Sequence, residues 1–118
     1  MAEFIHDGEL KVMEIIWDNE PVAAKDISRI AAEKIGWAAN TTYTVINKLV
    51  EKGMVKREAP GFMCNSLYSK DEVRKLETSL LADKLFDGSK TALFSALLSD
   101  EKLSEKELDE LRELIGKR

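Results

Sequence analysis

The sequence holds one cysteine, one histidine and two prolines, and only 7% of its 118 residues are aromatic. With Cys64 as the sole cysteine, neither an intrachain disulfide nor a cysteine-based metal site can be built within one chain. Cys64 reads first as a small apolar filler, with a redox sensor or an intermolecular bridge as the alternatives. His6 is the sole histidine and has no serine or cysteine near it in sequence, so a hydrolase triad or a zinc site lacks its parts. There is no phosphate-binding loop, no glycine-rich dinucleotide turn and no His-Glu-x-x-His. No catalytic residue, cofactor or metal is therefore expected, and no enzyme. No apolar run approaches the roughly 20 residues that span a bilayer. The opening Met1–Asp7 lacks the basic and apolar regions of a signal peptide, so a cytoplasmic protein with no membrane partner is expected.

What is present is a segregated charge. The formal net charge is −4 and 44% of the residues are hydrophobic, which suits one small globular domain with an appendage. Between Asn40 and Lys70 the basic residues Lys48, Lys52, Lys56, Arg57 and Lys70 outnumber the acidic Glu51 and Glu58, giving +3 and leaving −7 on the remaining 87 residues. An acidic total argues against non-specific coating of nucleic acid. It still permits a local contact patch, because a phosphate feels mainly what lies within about a Debye length.

The positive stretch is also the best-organised one. At about 100° per residue, Thr42, Val45, Ile46 and Leu49 share one side of a helix from Asn40 to Lys52, with Val50 at its edge. Thr44, Asn47, Lys48 and Glu51 lie opposite, flanked by Thr41 and Tyr43, so the outer face is short and rich in groups that donate and accept hydrogen bonds. Such a face suits base edges: Asn pairs with adenine, Thr with several bases or a thymine methyl, Lys with guanine or phosphate. It also suits plain solvent, and Glu51 would repel phosphate. Gly53 is placed to close the helix at positive φ. Met54–Glu58 alternates like a half-buried strand, Pro60-Gly61 fits the centre of a type II turn, and Asn65–Tyr68 can return antiparallel.

Two helices are expected before this stretch. Asp7 can cap the first, with Leu10, Met13, Ile16 and Trp17 inward. The second, from about Ala23 to Ile35, turns Ile27, Ile30, Ala31 and Ile35 inward, and Gly36 stops it. Helix, helix, turn, helix, hairpin is the winged-helix order. Trp17 and Trp37 read as core packing, since no exposed aromatic cluster accompanies them.

After Tyr68 the pattern is purely helical. Ser69-Lys70-Asp71-Glu72 and Ser104-Glu105-Lys106-Glu107 are capping boxes, with staples Tyr68 to Val73 and Leu103 to Leu108. Three helices are expected in the tail, carrying among others Leu76, Leu80, Leu81, Leu93, Phe94, Leu97, Leu108 and Leu111. Short units leave much of their surface exposed, so this much leucine needs a partner. A twofold dimer buries the patch twice and sets two recognition helices one or two DNA turns apart; the alternative is a monomer whose tail packs back on its own winged helix. The fold class expected is mainly α with a small β hairpin: a winged helix-turn-helix over 1–69 and a helical dimerisation domain over 70–118.

The run Glu9-Leu10-Lys11-Val12-Met13-Glu14-Ile15-Ile16-Trp17, then Thr41 and Thr44, the run Leu49–Arg57, and Tyr68 together resemble the penicillinase-repressor family of bacterial transcription factors. That family includes the BlaI and MecI repressors and the copper-responsive CopY group. The resemblance covers nearly the whole chain, more strongly before residue 70. It implies a homodimer that binds a palindromic double-stranded DNA operator and represses transcription. In that role Thr41, Tyr43, Thr44 and Asn47 would lie nearest the bases. Lys48, Lys56 and Arg57, helped by the wing at Gly61 and Phe62, would hold phosphates. Where family members often carry basic or longer polar residues this chain has Asn40 and Tyr43, so no operator sequence is carried over. The tail lacks the cysteine cluster of the copper-responsive members, which argues against copper sensing. Ala96-Leu97 stands where the antibiotic-responsive members carry a cleaved Asn-Phe bond, so release through a sensor protease is not carried over either. A protein-interaction module and a small-molecule-responsive regulator are the rival readings.

Overall fold

Asp7 opens the first helix as its first residue, with the cap one position earlier at His6. The reason is Glu9, whose Oε1 accepts from the His6 backbone N–H at 2.9 Å and so satisfies an amide that the helix cannot. The computed structural model describes residues 4–99 and 102–117; Met1–Glu3, which begin the stretch read as lacking a leader, lie outside them. Element order is α1 (Asp7–Asn19), β1 (Val22–Ala23), α2 (Ala24–Ile35), α3 (Ala39–Glu51), β2 (Val55–Glu58), β3 (Met63–Ser66), α4 (Lys70–Phe86), α5 (Lys90–Leu98) and α6 (Glu105–Gly116). The protein is thus mainly helical with a small antiparallel sheet, as expected.

The chain forms two compact units, one ending at Glu77 and the other beginning at Thr78. In the first, α1 buries Val12, Met13, Ile15 and Ile16, α2 buries Ile27 and Ala31, and α3 buries Thr42, Ile46 and Leu49. Trp17 and Trp37 pack at the edge of this core, Trp17 through an Nε1 bond to the Tyr68 carbonyl at 2.9 Å. Val73, in the first turns of α4, belongs to the same core. Burying an aliphatic side chain of this size contributes about 1.5–3 kcal/mol, so the packed faces of the three helices dominate local stability.

The hairpin differs from expectation in two ways. The return strand begins at Met63, two residues before Asn65, and the sheet has three strands in the order β1-β3-β2. Val22 and Ala23 pair with Cys64 and Met63, and Val55 to Glu58 pair with Ser66 to Met63. A two-residue strand is too short to leave an alternation in sequence. Glu20 secures the far end, its Oε1 accepting from the Ser66 N–H at 2.7 Å and the hydroxyl at 2.9 Å.

The predicted starts of α4 and α6 hold, the first in the N-terminal unit, where Ser69 Oγ accepts from the Glu72 N–H at 3.0 Å, the other in the second. Ser104 Oγ accepts from the Glu107 N–H at 3.1 Å and Glu107 Oε1 from the Ser104 N–H at 3.1 Å. Ser89, not anticipated from sequence, caps α5 by accepting from the Ala92 N–H. Among the described residues of this unit only Ala82 is buried.

Candidate nucleic-acid interface

Helices α2 and α3 meet through a short connection in which Gly36 takes φ +69, a left-handed conformation that a side chain would strain. The connection places Ile46 and Leu49 in the core with no exposed area and turns the opposite face of α3 to solvent. On that face Thr41, Tyr43, Thr44, Asn47 and Lys48 are all exposed. Thr44 Oγ1 donates to the Asn40 carbonyl at 2.8 Å, which leaves its lone pairs available to accept. Lys48 has no ion pair among the described residues; it opens onto a pocket shared with His6, Glu9, Glu51 and Lys52.

The wing sets the remaining expected residues. Alternation along β2 turns Val55 and Arg57 toward the core side, and Arg57 faces Cys64 across the ladder. Lys56 and Glu58 point the other way and pair at 3.6 Å, each side chain 58% exposed, a contact worth little in water. Gly61 lies at the wing tip at φ +76, followed by Phe62, which is 63% exposed. The Phe62 carbonyl accepts from the Ala24 N–H at 3.1 Å, tying the wing to the start of α2.

Arg57 joins helix and wing. Its Nη1 donates to Asn47 Oδ1 at 2.6 Å, and its Cζ lies 5.8 Å from the centroid of the Phe62 ring, within the range of a cation–π contact. Asn47, Arg57 and Phe62 therefore form one connected group, whereas Thr41, Tyr43, Thr44 and Lys48 stand separately along α3. Sequence reasoning assigned Asn47 and Arg57 to different tasks and missed their bond. A signal for it existed: Arg57 shares the strand face of Val55, which had to point inward.

Two electrostatic features were not anticipated. Glu9 is buried, and Lys52 at the end of α3 pairs with it at 2.7 Å while also donating to the Phe4 carbonyl at 3.1 Å. Burial alone would raise the Glu9 pKa, but the His6 amide and the Lys52 ammonium outweigh it and hold the carboxyl below its ordinary value. Lys52 is thereby committed to the fold and not to a ligand. Burial raises the Cys64 thiol pKa, opposed only in part by the Arg57 charge, which fits the filler reading.

Residues 5–117 match the penicillinase repressor family. The chain belongs to that family. It is a bacterial repressor built on a winged helix, and not an enzyme. The repressor is 27% identical over 116 residues to the methicillin resistance regulatory protein MecI of Staphylococcus aureus strain N315, covering 97% of this chain and 94% of that one. It is 20% identical over 113 residues to the penicillinase repressor of Bacillus licheniformis, covering 94% and 88%. Among solved structures, the DNA-binding domain of the repressor BlaI superposes with a TM-score of 0.54 at 22% identity, covering 61% of this chain and 93% of that domain. That likeness concerns the fold. No helix among the described residues is long and apolar enough to cross a membrane.

Proposed function

We propose that this repressor acts as a homodimer on a palindromic DNA operator, each protomer laying α3 in a major groove and its wing against the adjoining backbone. The observation that carries the reading is the two-sidedness of α3: one side locked into the core without exposed area, the other a row of exposed Thr41, Tyr43, Thr44, Asn47 and Lys48. A helix held that firmly presents hydrogen-bonding groups in fixed register, which base reading requires. Lys48, Lys56 and Arg57, with the wing at Gly61 and Phe62, would position the duplex through its phosphates. Lys56 exchanges its exposed pairing with Glu58 for a phosphate at little cost.

Dimerisation is supported by the second unit. Leu81, Leu85, Phe94, Leu97, Leu98, Leu114 and Ile115 are all exposed there, and Leu80, Leu93, Leu108 and Leu111 are only half-buried. Leu76, also exposed, lies on the α4 turns that belong to the first unit. An apolar surface of this extent marks an interface, and a second copy covers it symmetrically.

A gel-shift with the promoter region of the repressor's own gene, at moderate salt, tests the reading. Selective retention of that fragment over random DNA, with a footprint protected about a twofold axis, is expected. No shift at micromolar protein would overturn it in favour of a protein-binding winged helix. Asn47→Ala is expected to cost about 1–3 kcal/mol on operator and little on random DNA. Lys48→Ala should weaken both alike and flatten the salt dependence by about one unit at most.

A further inference from the structure

We infer that Arg57 is a specificity-determining residue: by holding the Asn47 carbonyl oxygen it weakens the two-point contact of Asn47 with adenine and makes Asn47 read chiefly as a donor, favouring guanine. The inference rests on the DNA-binding reading above and deepens it. Arginine carries N–H donors only, so the atom it meets at 2.6 Å must be the Asn47 carbonyl oxygen. That fixes the orientation of the amide as well as its position. Adenine is read by asparagine only when the amide lies edge-on, with Oδ1 accepting from the base N6 amine and Nδ2 donating to N7. The bond to Arg57 takes one of the two Oδ1 lone pairs and turns the oxygen toward β2, so the two-point contact with adenine strains or breaks that bond. What remains to project from α3 is the Nδ2 amine, a pure donor.

A donor finds two acceptors on guanine, N7 and O6, and one on thymine, O4; on adenine the N7 acceptor stands beside a repelling N6 amine, and cytosine offers only its N4 amine. The arrangement is held from both sides. Arg57 comes from the core-facing side of an edge strand and its guanidinium rests over the Phe62 ring at 5.8 Å, while Asn47 is fixed by the buried Ile46 and Leu49 beside it in the helix. Being charge-assisted, the bond is stronger than a neutral one and gains further when a duplex excludes water from it. The remaining N–H groups of Arg57 are left for phosphate, so one side chain both anchors the backbone and sets which base its neighbour prefers.

The experiment is selection of bound duplexes from a library randomised across the operator half-site, run on the full-length protein and on Arg57→Ala, Arg57→Met and Asn47→Ala. Arg57→Met keeps the aliphatic packing and removes every donor, so it should stay folded at the assay temperature, with a melting temperature lowered only by the loss of one exposed bond and the Phe62 contact. At one base pair per half-site the wild type is expected to favour guanine over adenine by about tenfold. Both Arg57 variants are expected to reverse that preference toward adenine, and Asn47→Ala to abolish it. A drop in affinity by one common factor for all four bases in the Arg57 variants would overturn the inference while leaving the DNA-binding reading intact. A wild type that enriches no sequence at all would overturn both.

Discussion

Glu9 is the residue on which the N-terminal unit is most exposed to pH. Its side chain is 6% exposed and that of Lys52 34%, so the pair is screened on one side only and is worth less than a fully buried one. Because the folded carboxyl titrates below its ordinary value of 4.5, its stabilisation is complete above that pH. It is lost as pH falls through the lower, folded value. Glu9→Gln should therefore lower stability at pH 7 by about 1–3 kcal/mol. Urea midpoints of the two proteins should converge as the pH is taken well below 4.5; a gap that stayed constant down to pH 3 would show that packing, not charge, is at stake. Cys64, with no exposed area and a raised pKa, should resist alkylation in the native state and react at the rate of local or global opening. Labelling as fast as a free thiol's would refute its filler role. Neither Glu9's burial nor Arg57's grip on Asn47 was legible in sequence as read. An acidic residue in an amphipathic helix reads as solvated until the partner is known to arrive 43 positions away.

Elements were far more legible than contacts, because caps, glycines and apolar spacing act within a few residues. Every helix was anticipated, and α3 came within one residue of its observed start and end. Both hairpin strands were anticipated, the return one starting two residues early; the two-residue β1 was not, since its pairing with β3 depends on a chain segment some 40 residues away and two residues carry no period. The junction of α3 and β2 gives a test at this scale. Gly53 takes φ +77 with nothing within 4 Å of where a Cβ would stand. Its N–H reaches the Val50 carbonyl at 3.1 Å, and the next N–H, of Met54, reaches Leu49 at 3.0 Å. Gly53→Ala meets no steric neighbour, so its cost is backbone strain alone, about 1 kcal/mol. Chemical denaturation should show that loss with an unchanged slope. Base preference should stay as in the wild type, because Asn47 and Arg57 keep their register. A variant as stable as the wild type would mean that the junction relaxes to another conformation.

At the scale of the whole molecule, the two units divide the work by what each can bury. The N-terminal unit closes a core of its own around Met13, Ile16, Ile27, Ile46, Leu49 and Met54. Helices α5 and α6 bury no residue at all, although α5 reads Lys-Thr-Ala-Leu-Phe-Ser-Ala-Leu-Leu and is apolar nearly all round. Such a helix is stable only when covered, and in the proposed dimer each substitution on the covering face enters twice. Phe94 and Leu97 are 41% and 55% exposed and one turn apart, so they share a face. Phe94→Asp with Leu97→Asp would place four carboxylates in the joint between protomers, where burying unpaired charge is prohibitive. Sedimentation should then find single subunits at concentrations where the wild type is paired, while the N-terminal unit keeps its native near-ultraviolet signal from Trp17 and Trp37. Operator affinity should fall by about 10²–10⁴-fold, because two linked reading heads bind the second half-site as an intramolecular step and a lone head does not. Affinity for a single half-site should be unchanged. A doubly substituted protein that still sediments as a pair and still holds the full operator would show that the copies meet through some other surface than this face of α5.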